Sequence, residues 1–426
     1  MASKTNLSVV IDVGTSKITA LAGIKNSEGK MEILGASKLP SKGIKRGVVF
    51  NIEEAAVSIG QVIDDLTSQV EVKIKKVDIA FAGQPMKIYE HNGTRLISGE
   101  GVVSENDVNE LYNEAKDLNI EQGFKILHIL PQSFVIDDEP VDLSPAGITG
   151  CKIEATYKII AVPEIHLTNF ERVLDKLGIE LGDVILSPLA CGEGVLTEDE
   201  KELGVILLDI GAGTTKLAVF HKGSLVHTAV IPFGGNVVTN DIKEGCSILP
   251  KWAELLKTQY GQALGDFADE QKVVTIPGHS GWEPKEISFK SLAFIIQARM
   301  EEIVDSTVFQ IEKSGVAGDL GSGIVLSGGT SELNNLVSLV KFRTGMDTRL
   351  AFAVASPSTK IQGLKHPDFH SVLGLLQMAL EKVDPLPKEK RKKPKKKKDR
   401  RFSPWIKNVV QGVLDYVDDD EDVALN

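Results

Sequence analysis

The chain has 426 residues, 42% of them hydrophobic and 25% charged, with a net charge of −11, which suits a soluble globular protein with two or more cores. No apolar run reaches the roughly 18 residues that span a bilayer, and residues 1–7 are too short and polar to be a secretory signal. Cys151, Cys191 and Cys246 are odd in number and fit no metal-ligand spacing, so they read as reduced core residues in a cytosolic compartment.

Strands and helices interleave from the start. Residues 8–13, 18–24, 31–38 and 47–50 are strand-like, 52–69 has apolar residues at helical spacing, and 77–82 is strand-like again. Such alternation predicts α/β architecture. Residues 84–163 differ. Short strands at 87–90, 95–98, 125–131, 133–136 and 152–162, with one helix near 105–117, describe a small α+β module inserted into the first lobe. A helix at 165–177 and a strand at 182–187 return to the first pattern. The first lobe is therefore assigned to 1–83 and 164–203.

A second lobe begins near residue 204. It comprises 204–235 and 313–382, with a strand at 323–326 and helices near 333–341 and 369–382. Between its two parts lies a mostly helical region, 236–312, with a strand-like stretch at 272–276.

Residues 383–401 contain three prolines and, from Lys388 to Arg401, eleven Lys/Arg against two acids. This local +9 leaves −20 on the rest of the chain, a charge that repels nucleic acid. The segment reads as an extended, disordered linker. Then Phe402, Trp405, Ile406, Val409, Val410, Val413, Leu414 and Val417 form one apolar helical stripe. Ser403 is a suitable N-cap and Pro404 falls at the first helical position. Aromatic residues at its start favour an interfacial depth in a membrane, and each basic linker residue adds about 1 kcal/mol near an anionic leaflet. The acidic tail, 418–426, opposes that attraction.

Two stretches look like copies: 9–17, VVIDVGTSK, and 206–216, ILLDIGAGTTK. Each is an apolar run, an Asp, a Gly/Thr turn and a second apolar run, which is a β-hairpin. Turns of this kind point backbone N–H groups at a phosphate. Gly14, Thr15 and Ser16 in the first, and Gly211, Gly213, Thr214 and Thr215 in the second, are the candidates. Lys17 supplies a point charge for the outer phosphates. Asp12 and Asp209 are placed to hold Mg²⁺ through its waters, because this ion sheds water reluctantly. Two further Gly-rich turns precede helices: 324–330, IVLSGGT, and 231–236, IPFGGN. Gly328, Gly329 and Thr330, with Gly234, Gly235 and Asn236, allow close approach of backbone to a nucleotide.

At this point the chain resembles the actin/Hsp70/sugar-kinase ATPase superfamily. The phosphate motifs match at 11–18 and 208–216, the adenosine motif at 325–330, and the interlobe helices at 188–196 and 369–377. Within the superfamily it is most similar to the FtsA family of actin-like bacterial cell-division proteins, through 195–205, VLTEDEKELGV, and 230–242, VIPFGGNVVTNDI. The resemblance covers about 7–417. It implies a two-lobed actin-like ATPase fold in which 84–163 is the inserted 1C-type subdomain, 236–312 is subdomain 2B, and 402–417 is the amphipathic membrane helix. It also implies ATP and Mg²⁺ as ligands and Lys257 against the adenosine. The implied function is a tether of FtsZ polymers to the cytoplasmic face of the inner membrane at the division site, with self-assembly into filaments. Membrane lipids and the FtsZ C-terminal tail are the implied partners, the tail carboxylate meeting Arg299 in 295–303, IIQARMEEI. Other division proteins are expected on 84–163, and nucleic acid on no part of the chain.

One departure bears on catalysis. Hydrolysing relatives place a Gln or Glu at the start of the first connecting helix to position the attacking water. Here Ser187 falls there, and the nearest carboxylate, Glu193, lies almost two turns on. Slow or absent hydrolysis is expected, with binding intact. A kinase or a pilus-assembly-type ATPase of the same superfamily is the alternative, and neither has use for a basic linker with an amphipathic tail.

Overall fold

The structure, a computed structural model, describes residues 7–383 apart from 100, 142–143, 279–282, 355–356 and 360. The basic stretch 384–401, the apolar-striped segment 402–417 and the acidic tail 418–426 therefore lie outside the described residues.

The near-continuous apolar runs of the two hairpins become strands buried on both faces, as parallel and mixed sheets require. The first sheet has the order Glu180–Leu186, Lys76–Phe81, Ser8–Val13, Lys17–Lys25, Met31–Pro40. The second has Thr348–Leu350, Ile324–Ser327, Val205–Ile210, Thr215–His221, Ser224–Ile231. Position by position, the pairing directions agree: two parallel ladders, then two antiparallel ones. The internal copy seen in the sequence is thus a copy of a whole five-stranded sheet.

Period-2 alternation decides what each face meets. In the first lobe, Val9, Ile11 and Val13 pack with the helices Ile52–Val70 and Glu164–Leu177. Val10 faces the other way, onto Leu373 and Leu376 of the helix His370–Glu381. In the second lobe, Ile206, Leu208 and Ile210 meet Val238, Ile303 and Leu339 of three covering helices, Gly235–Cys246, Phe289–Lys313 and Leu336–Thr344. Val205 and Leu207 meet Cys191 and Val195 of the helix Ser187–Val195. Each lobe is therefore floored by the helix that follows the other lobe's sheet in the chain. The two helices cross at the base of the interlobe cleft.

The inserted module has its own sheet, ordered Lys87–Leu96, Lys152–Pro163, Phe124–Ile136, Glu139–Val141, covered by the helix Glu105–Lys116. Ser104 and Asp107 form a capping box that starts this helix. The two strands expected at 125–131 and 133–136 are one strand with a bulge at Gln132. The bulge tolerates Pro131, and the Gln132 amide donates to its own strand's Leu130 and Pro131 carbonyls and to Leu225 of the second lobe. The stretch at 272–276 forms a hairpin, Val273–Ile276 with Lys285–Ser288, whose second strand the sequence reading missed. Cys191 and Cys246 are buried as expected. Cys151 is exposed, which corrects its reading as a core residue: it stands just before the start of the strand Lys152–Pro163, its N–H held by Asp137.

Candidate functional site

Antiparallel register fixes the two candidate phosphate turns. Val13 pairs with Ile18, leaving 14–17 as the first turn, and Ile210 pairs with Thr215, leaving 211–214 as the second. Register also shows that the two lysines are not equivalent. Lys17 occupies the turn position of Thr214, whereas Lys216 is one ladder step into the strand, at the position of Thr19.

The turns face each other across a cleft of about 520 Å³. A Cβ on Gly213 would stand 2.4 Å from the Thr15 hydroxyl, and one on Gly14 would stand 2.7 Å from the Lys17 carbonyl, so only glycine fits at either position. Asp12, Gly14, Thr15, Ser16 and Lys17 line one wall; Asp209, Gly211, Gly213 and Thr214 line the other, with Gly328 and Gly329 beside them. Six residues that the sequence reading did not single out for the site also line it: Thr19, Ala212, Lys216, Pro367, Asp368 and Ser371. A lysine directly after the second turn was visible in the sequence, but nothing there connects Asp368 to a turn 351 positions away.

Three aspartates and two lysines line the cleft, and Lys38 reaches Asp368 from outside that lining, so the charges are unequally paired. Lys17 and Lys38 both hold Asp368, whose side chain is only 3% exposed. Burial works against the charge on Asp368, but Lys17, Lys38 and His366 together outweigh it and keep its carboxyl below the usual range. Lys216 Nζ lies 2.8 Å from Asp209 Oδ2 and donates to Ser187 Oγ at 2.9 Å. Burial opposes its charge too, yet Asp209 and then Asp12 hold it above the ordinary lysine range. Asp12 has no cation within ion-pair distance among the described residues. Burial raises its pKa, Lys216 partly offsets that, and Asp209 and Asp368 add to it.

Among the described residues no group of three or more His, Cys, Asp or Glu has the spacing of a metal cage. Asp12 suits a hydrated Mg²⁺ held through water, since its oxygens are not taken by a lysine. Asp209 is already engaged by Lys216, which bears on its assignment as a second metal-side acid.

The remaining expected residues stand behind the second turn. The Gly211 carbonyl accepts from the Gly235 N–H at 2.9 Å and from the Thr330 hydroxyl at 3.1 Å, and the Ala212 carbonyl accepts from the Asn236 N–H at 2.8 Å. A Cβ on Gly234 would lie 2.5 Å from the Gly211 carbonyl oxygen. Lys257 is buried against this node, donating to the Gly235 carbonyl, Thr239 and Glu254. Thr215 is wholly buried and donates to the Phe233 carbonyl, so it shapes the turn from below. Glu193 bonds Lys201 instead of facing the cleft. Arg299 lies elsewhere, on the 2B-side helix, where Asp241 takes its Nε at 2.5 Å and its Nη2 at 3.1 Å. The membrane-stripe residues, Phe402 to Val417, lie outside the described residues.

Comparison with known proteins decides the family. A family model described as "Cell division protein FtsA" matches residues 206–374, and one described as "SHS2 domain inserted in FTSA" matches 83–161. The FtsA of Pseudomonas aeruginosa is 34% identical over 378 residues, covering 88% of this chain and 89% of its own. This chain belongs to the FtsA family of cell division proteins. The FtsA proteins of Neisseria meningitidis and Bacillus subtilis are 33% and 32% identical, over 89% and 88% of this chain and 91% and 83% of theirs. Among solved structures, a PilM–PilN type IV pilus biogenesis complex aligns with a TM-score of 0.62 at 15% identity, covering 88% of this chain and 98% of that one. MreB5 of Spiroplasma citri bound to ADP aligns at 0.54 and 17%, covering 88% and 96%. The fold is the actin-like ATPase fold with an inserted subdomain.

Proposed function

We propose that this FtsA-family chain is an ATP-binding membrane tether that carries FtsZ polymers to the cytoplasmic face of the inner membrane at the division site and assembles into actin-like filaments. The observation that carries the nucleotide half is the apposition of two glycine turns, Gly213 against Thr15, with Lys17 and Lys216 lining the cleft between them. Backbone N–H groups and cations converging on one small cleft are what a polyphosphate requires. A bound Mg²⁺ would neutralise charge between the outer phosphates. Asp12 would hold its waters, and Lys17 would exchange Asp368 for phosphate.

Hydrolysis is expected to be slow. The group at the start of the first connecting helix is Ser187, already hydrogen-bonded by Lys216. A lysine ammonium has no lone pair to accept a proton from water. The carboxylate further along the same helix, Glu193, is committed to Lys201. The useful output of nucleotide binding would then be lobe geometry and assembly.

The tether half rests on the sequence of 383–417, a basic linker followed by an apolar helical stripe. One such helix binds reversibly, and a filament of them binds tightly through effective concentration. Arg299 is the proposed contact for the acidic FtsZ tail, and 84–163 the proposed contact for other division proteins. Liposome co-sedimentation of the full chain and of a truncation after Lys382, with and without ATP and an FtsZ tail peptide, tests this. Pelleting should need residues 402–417 and strengthen with ATP. Equal pelleting of the truncated chain would sink the tether reading.

A further inference from the structure

The two phosphate hairpins are copies in topology but not in charge. In each, the acid that ends the first strand has a cross-strand partner in the second. Asp12 faces Thr19, and Asp209 faces Lys216. The duplication thus provides its own control: one site has a neutral hydroxyl where the other has a cation. The Lys216 and Asp209 side chains are 11% and 7% exposed, and both line the cleft. Asp209 and Ser187 take two of the three ammonium protons. No other acceptor lies within hydrogen-bond distance among the described residues. The remaining charged groups facing this point are Asp12, from the first lobe, and Lys17 with its partner Asp368 at the far wall.

We propose that Lys216 is the resident cation of the second phosphate turn: it donates to the outer phosphate of the bound nucleotide and cancels Asp209, so that nucleotide binding depends only weakly on a divalent metal. The inference rests on the cleft being a nucleotide site. A hydrated dication between two unpaired aspartates is attracted by both. With Lys216 fixed on Asp209, the second acid offers no net charge, and the ammonium repels the dication at short range. A fixed buried cation also needs no rearrangement when the phosphate arrives.

The test is the equilibrium affinity of the full chain for a fluorescent ATP analogue in excess Mg²⁺ and in EDTA. The wild-type affinity should change by less than about threefold between the two buffers. Lys216→Thr, which copies Thr19, should bring a metal dependence of about tenfold or more. Because removing the lysine strands a buried carboxylate, Lys216→Met combined with Asp209→Asn serves as a second variant that removes both charges together. It should lose about tenfold in affinity in either buffer, through the lost phosphate donor. Wild-type binding that collapses in EDTA, or a double variant with unchanged affinity, overturns the inference while leaving the nucleotide site standing. Absence of binding in both buffers overturns the two together.

Discussion

Gly194 and Gly374 touch backbone to backbone where the two interlobe helices cross. A Cβ on Gly374 would sit 1.8 Å from the Ala190 carbonyl oxygen and 2.6 Å from the Gly194 nitrogen; one on Gly194 would sit 2.5 Å from the His370 carbonyl oxygen. These obstacles are main chain, so they cannot swing away as a side-chain tip could. Gly374→Ala should therefore push the helices apart and cost about 2–3 kcal/mol of stability, as overpacking does. Urea melts should show it, with Gly60→Ala, whose nearest obstacle is one flexible Leu177 methyl at 3.2 Å, losing much less. Equal midpoints for the two variants would refute the crossing as a packing constraint.

If the cleft binds a nucleotide as proposed, Asp368, which holds Lys17, would compete with phosphate for it. Asp368→Asn should release both Lys17 and Lys38 to the cleft and tighten ATP binding by about fivefold at low salt, an effect that fades as salt screens it. Lys17→Ala should weaken binding by about tenfold. Titrating the nucleotide at two ionic strengths separates these outcomes from a general loss of structure. An unchanged Asp368→Asn affinity would mean that the Lys17 contact does not restrain the site.

His128, on the inserted sheet, accepts the Leu186 N–H on Nε2 at 2.9 Å and is thereby held neutral. Burial pushes its pKa from 6.5 down to about 4. The unfolded chain therefore binds a proton at His128 between these values while the folded chain does not. Stability is complete above pH 6.5 and falls as pH drops toward 4, with about 2 kcal/mol lost by pH 5 from this residue. Burial lowers His227 and His370 in the same direction and steepens the whole-protein curve. His128→Gln keeps an acceptor without the titration, so the difference between its pH–stability profile and that of the wild type should show this share. Parallel profiles would exclude His128 as an acid-sensitive point.

Arg299 is already spoken for by Asp241 on the neighbouring helix, with Glu302 on its own helix as a second partner. An incoming acidic tail would have to displace Asp241. Asp241→Asn should then raise tail-peptide affinity about threefold, and Arg299→Ala should lower it about tenfold. Isothermal titration with the peptide checks both signs. A fall in affinity for Asp241→Asn would instead mean that Asp241 positions the guanidinium for its partner.

Much of this was legible because the hairpins carry their own local signals. An apolar run, an acid and a glycine turn describe one strand pair without reference to anything distant, and two such runs announce a duplicated fold. The bulge at Gln132 was not legible, since breaking one strand into two costs a pattern reading nothing. Cys151 was misjudged because composition and spacing do not say that a residue just before a strand stays outside the core.

By itself the sequence determined the alternating elements, the repeated hairpins, the inserted module and the turns that can cradle a phosphate, all of which depend on neighbours within a few residues. Only the tertiary structure decided which cations face which acids. Lys17 meets Asp368, Lys216 meets Asp209 and Ser187, and Arg299 meets Asp241 because strand register and the crossing of two helices bring together positions up to 351 residues apart. Coulomb interactions depend on distance in space, so the charge state of the cleft is a property of the fold and not of any one motif.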